Sequence, residues 1–165
     1  MFDIGEDQET PAIKQLSVFL PNRVGALLLL TRQLEKHEVH IKAISILDAA
    51  DHAVVRLVVD QPTFAQTVLT HEGYKLFDTD LLAVRLPKVK HGGIRKMLSA
   101  LIMAELNVDY IYPVLVRHEG DPVLALHVAD IHSASRALRD QGFELLNQDD
   151  LGPPDPGQPE LEDPL

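Results

Sequence analysis

Residues 13–25 read IKQLSVFLPNRVG, and residues 80–92 read DLLAVRLPKVKHG. Each stretch begins with an apolar run that is typical of a strand and ends in a turn that closes on glycine. The two glycines, Gly25 and Gly92, are 67 positions apart. Leu27 and Ile94 have the same separation, as do Ile41 and Val108. This common spacing predicts that the chain contains two copies of one structural unit.

The second half of the unit repeats as well. Asp60 and Asp130 are 70 positions apart, and Gly73 and Gly142 are 69 positions apart. The copies therefore differ by small insertions that fall in loops. The expected strands cover residues 13–20, 41–47, 54–59, 74–77, 80–87, 108–112, 123–128 and 143–146. Between them, helical apolar spacing predicts two helices in each copy.

Each copy thus reads β-α-β-β-α-β, which is the order of a ferredoxin-like split βαβ unit. The predicted fold class is α+β, with two tandem antiparallel sheets that each carry helices on one face. The other face of each sheet needs a cover, and four consecutive leucines (27–30) give the first helix more apolar surface than one sheet requires. Both features predict association beyond the single unit.

The predicted organisation has four parts. An N-terminal arm covers residues 1–12, the first module residues 13–79 and the second module residues 80–151. Residues 152–165 contain five prolines and several acids, so we expect a disordered acidic tail there.

Composition excludes several classes of function. The absence of cysteine rules out disulfides, thiolate chemistry and cysteine-ligated zinc. The net charge is −10, but all 15 Lys and Arg residues lie between Lys14 and Arg139, and the 15 acids of residues 10–148 balance them. Without a basic surface we expect no nucleic-acid partner. The longest apolar stretch is too short to cross a bilayer, and the acidic start lacks a secretory signal, so we expect a cytoplasmic protein with no membrane partner.

Residues 22–27, NRVGAL, resemble the turn of the ACT family, in which a strand ends in Asp/Asn-x-Pro-Gly-x-Leu and a helix begins at the glycine. Residues 38–45, EVHIKAIS, and residues 106–110, LNVDY, resemble the strand that follows in that family. The likeness covers roughly residues 14–151 and is close to the stand-alone tandem ACT proteins of bacteria. It implies a regulatory protein without catalytic activity or cofactor that binds an amino acid and pairs with a second copy through its second strands.

The resemblance also implies where the amino acid binds. Backbone amides at a helix N-terminus suit a carboxylate, and an asparagine side-chain oxygen suits an ammonium group. The first turn supplies both, and its implied ligand-binding residues are Asn22, Arg23, Val24, Gly25, Ala26, Leu27 and Ile44. For Asn22, helix capping is the alternative role. A possible second site comprises His91, Gly92, Gly93 and Ile94, but Val89 stands where the first copy has Asn22.

Other residue groups carry less functional information. The eight histidines are scattered over turns and helix ends, so we expect no metal site. Asp78 and Asp80 could form a carboxylate pair, but no base or nucleophile accompanies them. Tyr110 and Tyr112 share one face of a strand, which is typical of packing or of an interface. Two alternatives to the amino-acid-binding regulator stay open: a regulatory subunit of a biosynthetic enzyme, similar to that of acetohydroxyacid synthase, and a structural module that binds no ligand.

The tail assignment makes a direct prediction. Deletion of residues 152–165 should leave the melting temperature nearly unchanged, because a segment of this composition buries little surface. Calorimetry of the full and shortened chains tests this expectation. A large drop in melting temperature would mean that the tail contains a packed element.

Overall fold

The computed structural model describes residues 9–88 and 92–152. Its helices are α1 (Ala26–Lys36), α2 (Pro62–His71), α3 (Gly93–Met103) and α4 (Ile131–Asp140). Its strands are β1 (Ile13–Pro21), β2 (Ile41–Asp48), β3 (His52–Val59), β4 (Lys75–Arg85), β5 (Val108–Pro113), β6 (Val123–Val128) and β7 (Leu145–Leu146), followed by a 3-10 helix, Gln148–Leu151. The α+β class and the repeated β-α-β-β-α-β order are confirmed.

Strand β4 belongs to both repeats. Its first part pairs with β1, from Phe19 opposite Lys75 to Ile13 opposite Leu81. Its last four residues pair with β6, and Ala83 and Val84 also pair with β7. The strands expected at residues 74–77 and 80–87 are therefore one continuous strand. The predicted division between residues 79 and 80 falls inside it, at a point where the sequence has neither glycine nor proline.

The strand order is β2-β3-β1-β4-β6-β5, with β7 paired to β4. Each half of this sheet has helices on one face only. Helices α1 and α2 bury Leu30 and Leu69 against the first half, and α3 and α4 bury Leu101 and Leu138 against the second half. This arrangement agrees with the two ferredoxin-like modules that the sequence predicts.

A third apolar cluster lies between the two halves of the sheet and contains no residue of the helices α1 to α4. Its members come from both modules: Ile13, Ala43, Val58, Leu81, Ala83, Tyr112, Val114, Val123, Ala125, Leu146 and Leu151. The sheet therefore curls at β4 until its two helix-free faces pack together. The cover that the sequence predicts for the helix-free face of each sheet is therefore provided by the other module of the same chain.

A buried amide ties the two faces together. Gln15 on β1 is only 1% exposed. Its Oε1 accepts a hydrogen bond of 2.6 Å from the Tyr112 hydroxyl, and its Nε2 donates to the Tyr110 hydroxyl at 2.8 Å. Arg56 on β3 places its guanidinium carbon 3.6 Å from the centre of the Tyr110 ring. One glutamine and one arginine of the first module thus hold both tyrosines of β5.

The repeat is visible in the backbone itself. Gly25 and Gly92 have φ values of 86° and 85°, in the left-handed region that favours glycine. Glu38 and Glu105 follow α1 and α3 with φ values of 56° and 58°. Strands β2 and β5 each carry a bulge at equivalent positions, between residues 41 and 43 and between residues 108 and 110. These equivalences confirm the two-copy interpretation of the sequence.

The C-terminal 3-10 helix connects the modules. The Gln148 side chain accepts a hydrogen bond from the Lys14 amide at 3.0 Å and donates to the Val59 carbonyl at 2.8 Å. Leu151 is 3% exposed in the cluster between the sheets. Most of the predicted tail, from residue 153, and residues 1–8 of the predicted arm lie outside the described residues. The end of the arm is packed, since Pro11 is buried.

The Gln15 contacts predict a stability effect. Gln15→Ala should lower the free energy of unfolding by about 1–3 kcal/mol, because it leaves the buried Tyr112 hydroxyl without an acceptor. Equilibrium urea unfolding measures the change. The control is Gln141→Ala, which removes an exposed amide and should have little effect. Equal unfolding free energies for the two variants would contradict a stabilising role for Gln15.

Candidate functional site

The turn that the sequence selects lies open to solvent. Asn22, Arg23, Val24 and Gly25 are all exposed. The turn is held by its backbone, with the Arg23 amide donating to the Pro21 carbonyl at 2.9 Å and the Ala26 amide donating to the Arg23 carbonyl at 3.3 Å. Its polar side chains therefore stand at the surface where β1 passes into α1.

Helix α1 begins directly after this turn. Gly25 is its N-cap residue, and the Leu29 amide donates to the Gly25 carbonyl at 3.0 Å. Within the described part of the chain, no side chain caps the first turn of α1. The capping alternative for Asn22 is therefore not realised in this conformation. The first-turn amides have no partner within the helix. The space beside Gly25 is open, since a Cβ on this residue would meet nothing within 4 Å.

The remaining residues of the predicted first site are held in the core of the first module. Ala26 is buried, and Leu27 and Ile44 are half-buried and pack against the same cluster as Leu30 and Leu34. These three side chains support α1 on the sheet. The structure thus separates the predicted set into four exposed turn residues and three packing residues.

The second turn differs from the first. Gly92 is the N-cap of α3, and Gly93 is the first residue of that helix. The Arg95 side chain folds over Gly92, with its Nε 3.5 Å from the position that a Cβ on Gly92 would occupy. Ile94 is exposed. His91 and Val89 lie outside the described residues. The difference between a polar Asn22 in the first turn and an apolar Val89 in the second therefore rests on the sequence alone.

The carboxylates Asp78 and Asp80 are held by a lysine. The Lys14 Nζ lies 3.0 Å from Asp78 and 2.8 Å from Asp80. The hydrogen bond from Lys14 lowers the pKa of Asp78, and the hydrogen bonds to Asp80 and Asp78 raise the pKa of Lys14. This exposed cluster is an ion-pair network that joins β1 to β4.

Three other side chains have the spacing of metal ligands. One ligand atom each from His118, Glu119 and Glu144 lies within 4.8 Å of the others. The Arg85 guanidinium already occupies this group, since its Nη1 lies 2.5 Å from Glu119 and 2.6 Å from Glu144. The hydrogen bond to Glu144 is the main reason that the pKa of Arg85 is raised. The arginine is therefore the cation that balances these carboxylates.

Sequence reasoning treated Tyr110 and Tyr112 only as packing or interface residues, and it missed their partners. The Tyr110 ring stacks on His127 with 4.9 Å between ring centres, and His127 lies 2.8 Å from Asp109. Burial raises the pKa of Tyr112. The signal in the sequence was the pair Gln15 and Ser17, which lie on one face of β1 and alternate with Leu16 and Val18 on the other, and this pattern indicates polar partners for the helix-free face.

Comparisons with known protein families and solved structures agree with this architecture. The family model described as ACT domain pair matches residues 11–151. The crystal structure of protein BT0572 from Bacteroides thetaiotaomicron is 26% identical, with a TM-score of 0.78 over 85% of this chain and 95% of that chain. No curated protein sequence matches. No helix among the described residues is long and apolar enough to cross a membrane.

Regulatory subunits of aspartate kinase have the same fold at lower identity. The subunit from Thermus thermophilus is 13% identical, with a TM-score of 0.54. The subunit from Thermus flavus is 14% identical, with a TM-score of 0.55. Each alignment covers 80% of this chain and 93% of the other. At this level of identity the likeness shows the fold alone.

Proposed function

Because the chain belongs to the ACT domain pair family, we propose that it is a cytoplasmic regulatory protein without catalytic activity that binds a free amino acid at the turn of residues 22–25. The observation that carries the proposal is the exposed, uncapped start of α1 beside Asn22. The amides of the first helical turn would bind the carboxylate of the amino acid, because a helix N-terminus favours an anion.

The other groups at the turn fit the rest of an amino acid. The side-chain oxygen of Asn22 would accept a hydrogen bond from the ammonium group. The open space beside Gly25 leaves room for the ligand to approach the backbone closely. The second turn is less suited to the same ligand, because Val89 has no polar group and Arg95 covers Gly92. We therefore propose one principal site in each chain.

The assembly that completes this site is a homodimer. With the sheet faces covered inside the chain, the remaining apolar surface includes Leu28 and Leu29 of α1 and Ile46 and Leu47 of β2, which are all about half exposed. Strand β2 lies at one end of the strand order. Near its start the Lys42 carbonyl accepts a hydrogen bond from the Leu115 amide at 2.7 Å, so pairing with a second chain would use the outer edge beyond Lys42. Pairing of two β2 strands would bring a second chain to the α1 side of the sheet.

Partnership with an amino-acid biosynthetic enzyme is the second candidate, and the same exposed leucines of α1 favour it. In that case the chain would act as a regulatory subunit, and the enzyme would cover α1. A structural module without a ligand is the third reading. A measurement of direct ligand binding to the isolated chain separates the regulatory-subunit and structural-module candidates from the main proposal.

The ligand proposal predicts that one or a few of the twenty amino acids raise the melting temperature of the purified chain, because a ligand of the native state stabilises it. Asn22→Ala should weaken binding by about 1–3 kcal/mol, the cost of an unpaired polar or charged group. Gly25→Val should weaken it more, because Gly25 has a φ of 86° that a β-branched residue adopts at a cost.

Calorimetric titration measures these affinities, after circular dichroism has checked the fold of each variant. Val89→Ala is the matched control in the second turn and should change the affinity little. Loss of binding in the Val89 variant together with retained binding in the Asn22 variant would place the site in the second turn and contradict the proposal. Absence of any melting-temperature increase among the twenty amino acids would favour the structural module.

The assembly proposal predicts at least a dimer at micromolar concentration in sedimentation experiments. Ile46→Lys on the edge strand should give monomers, because a charge there opposes strand pairing. Ile94→Lys on α3 is the matched control, since Ile94 and Ile46 are both 51% exposed. A monomeric wild-type chain, or equal dissociation of both variants, would contradict dimerisation through β2.

A further inference from the structure

A second concave surface lies away from the turn of residues 22–25, between α3 and the end of α4. It encloses about 490 Å³, which falls in the range of about 300–1,000 Å³ that is usual for small-molecule sites. We call it the second-module groove. Its lining includes Arg95, Lys96, Ser99, Ala100, Met103 and Phe143.

The lining has a polar and an apolar part. Arg95 and Lys96 lie in the first turn of α3, and neither makes an ion pair within residues 9–88 and 92–152. Ala100, Met103 and Phe143 form the apolar part. Two cations beside an apolar wall match a molecule with an anionic end and a short apolar body.

The first module provides an internal comparison, because α1 and α3 occupy equivalent positions. Leu28 and Leu29 stand where the second module has Arg95 and Lys96. Arg32 and Gln33 stand where it has the smaller Ser99 and Ala100, and Glu72 stands where it has Gln141. The cations and the small residues of the groove are therefore particular to the second copy, and the β-α-β-β-α-β architecture does not require them.

We propose that the second-module groove binds a small molecule that carries an oxyanion, either a carboxylate or a phosphate, on an apolar body. Arg95 and Lys96 bind the oxyanion through charge-assisted hydrogen bonds. Ala100, Met103 and Phe143 contact the apolar part. This site is independent of the amino-acid site, so the chain has two ligand sites of different chemistry in its two modules.

Methionine methyl resonances of the full chain provide a local test, because the sequence has three methionines, Met1, Met97 and Met103. Met103 lines the groove and is 78% exposed. The probes are octanoate and octyl phosphate, and octanol is the uncharged control. We expect either anion to shift the Met103 methyl resonance to saturation without moving that of Met1. The anion with the lower dissociation constant shows whether the groove prefers a carboxylate or a phosphate. Octanol at the same concentration should have no such effect.

Two variants separate a specific site from general charge attraction. Arg95→Gln with Lys96→Gln should raise the dissociation constant at least about tenfold, because it removes the charged donors. The control, Arg32→Gln with Lys36→Gln, removes the same charge from exposed positions of α1. It should change the dissociation constant by less than about twofold, because distant exposed charges are screened. Ser99→Trp should fill the groove and also abolish the saturable shift.

Circular dichroism confirms that each variant is folded before its titration. The proposal is overturned if neither anion shifts Met103 to saturation, or if octanol binds as tightly as the anions. It is overturned as well if both double variants lose the same affinity or if Ser99→Trp binds normally. These results leave the amino-acid proposal unaffected, because its variants Asn22→Ala and Gly25→Val lie outside the groove.

Discussion

The alternation of side chains along β4 is the constraint on which both modules depend. Leu82 and Val84 face the helices of the second module, whereas Leu81 and Ala83 face the cluster between the sheets. The same strand, through Leu76, contributes to the helix-side core of the first module. Because side chains of a strand alternate with a period of two, a shift by one residue would exchange these faces and disrupt three cores together. The register of β4 therefore couples the modules more strongly than a flexible linker would.

Most of the fold could be predicted from spacing. Helical periodicity and the glycine turns located the four helices, because local sequence determines where such elements begin and end. The continuity of β4 was missed, because the polar residues Asp78, Thr79 and Asp80 interrupt the apolar pattern and resemble a boundary between two strands. The packing of the helix-free faces was missed as well. It depends on contacts such as Gln15 with Tyr112, which lie 97 positions apart and leave only a weak alternation in the local sequence.

The candidate site was predictable in position but not in detail. The glycine turn and Asn22 are local features, so the sequence identified them directly. The sequence did not separate the exposed residues of the turn from Ala26, Leu27 and Ile44, which pack in the core. It also did not predict that Arg95 folds over Gly92. These differences arise from tertiary packing, and they support the proposed difference in ligand binding between two modules of the same fold.

The central claim is that the first turn, and not the second, binds an amino acid. An amide-resolved NMR titration with each of the twenty amino acids tests it most directly, because the first-turn amides of α1 would contact the carboxylate themselves. The account predicts saturable shifts for the amides of residues 22–28, with much smaller shifts for residues 92–95. Larger shifts at residues 92–95, or no saturable shift at residues 22–28 with any amino acid, would contradict it.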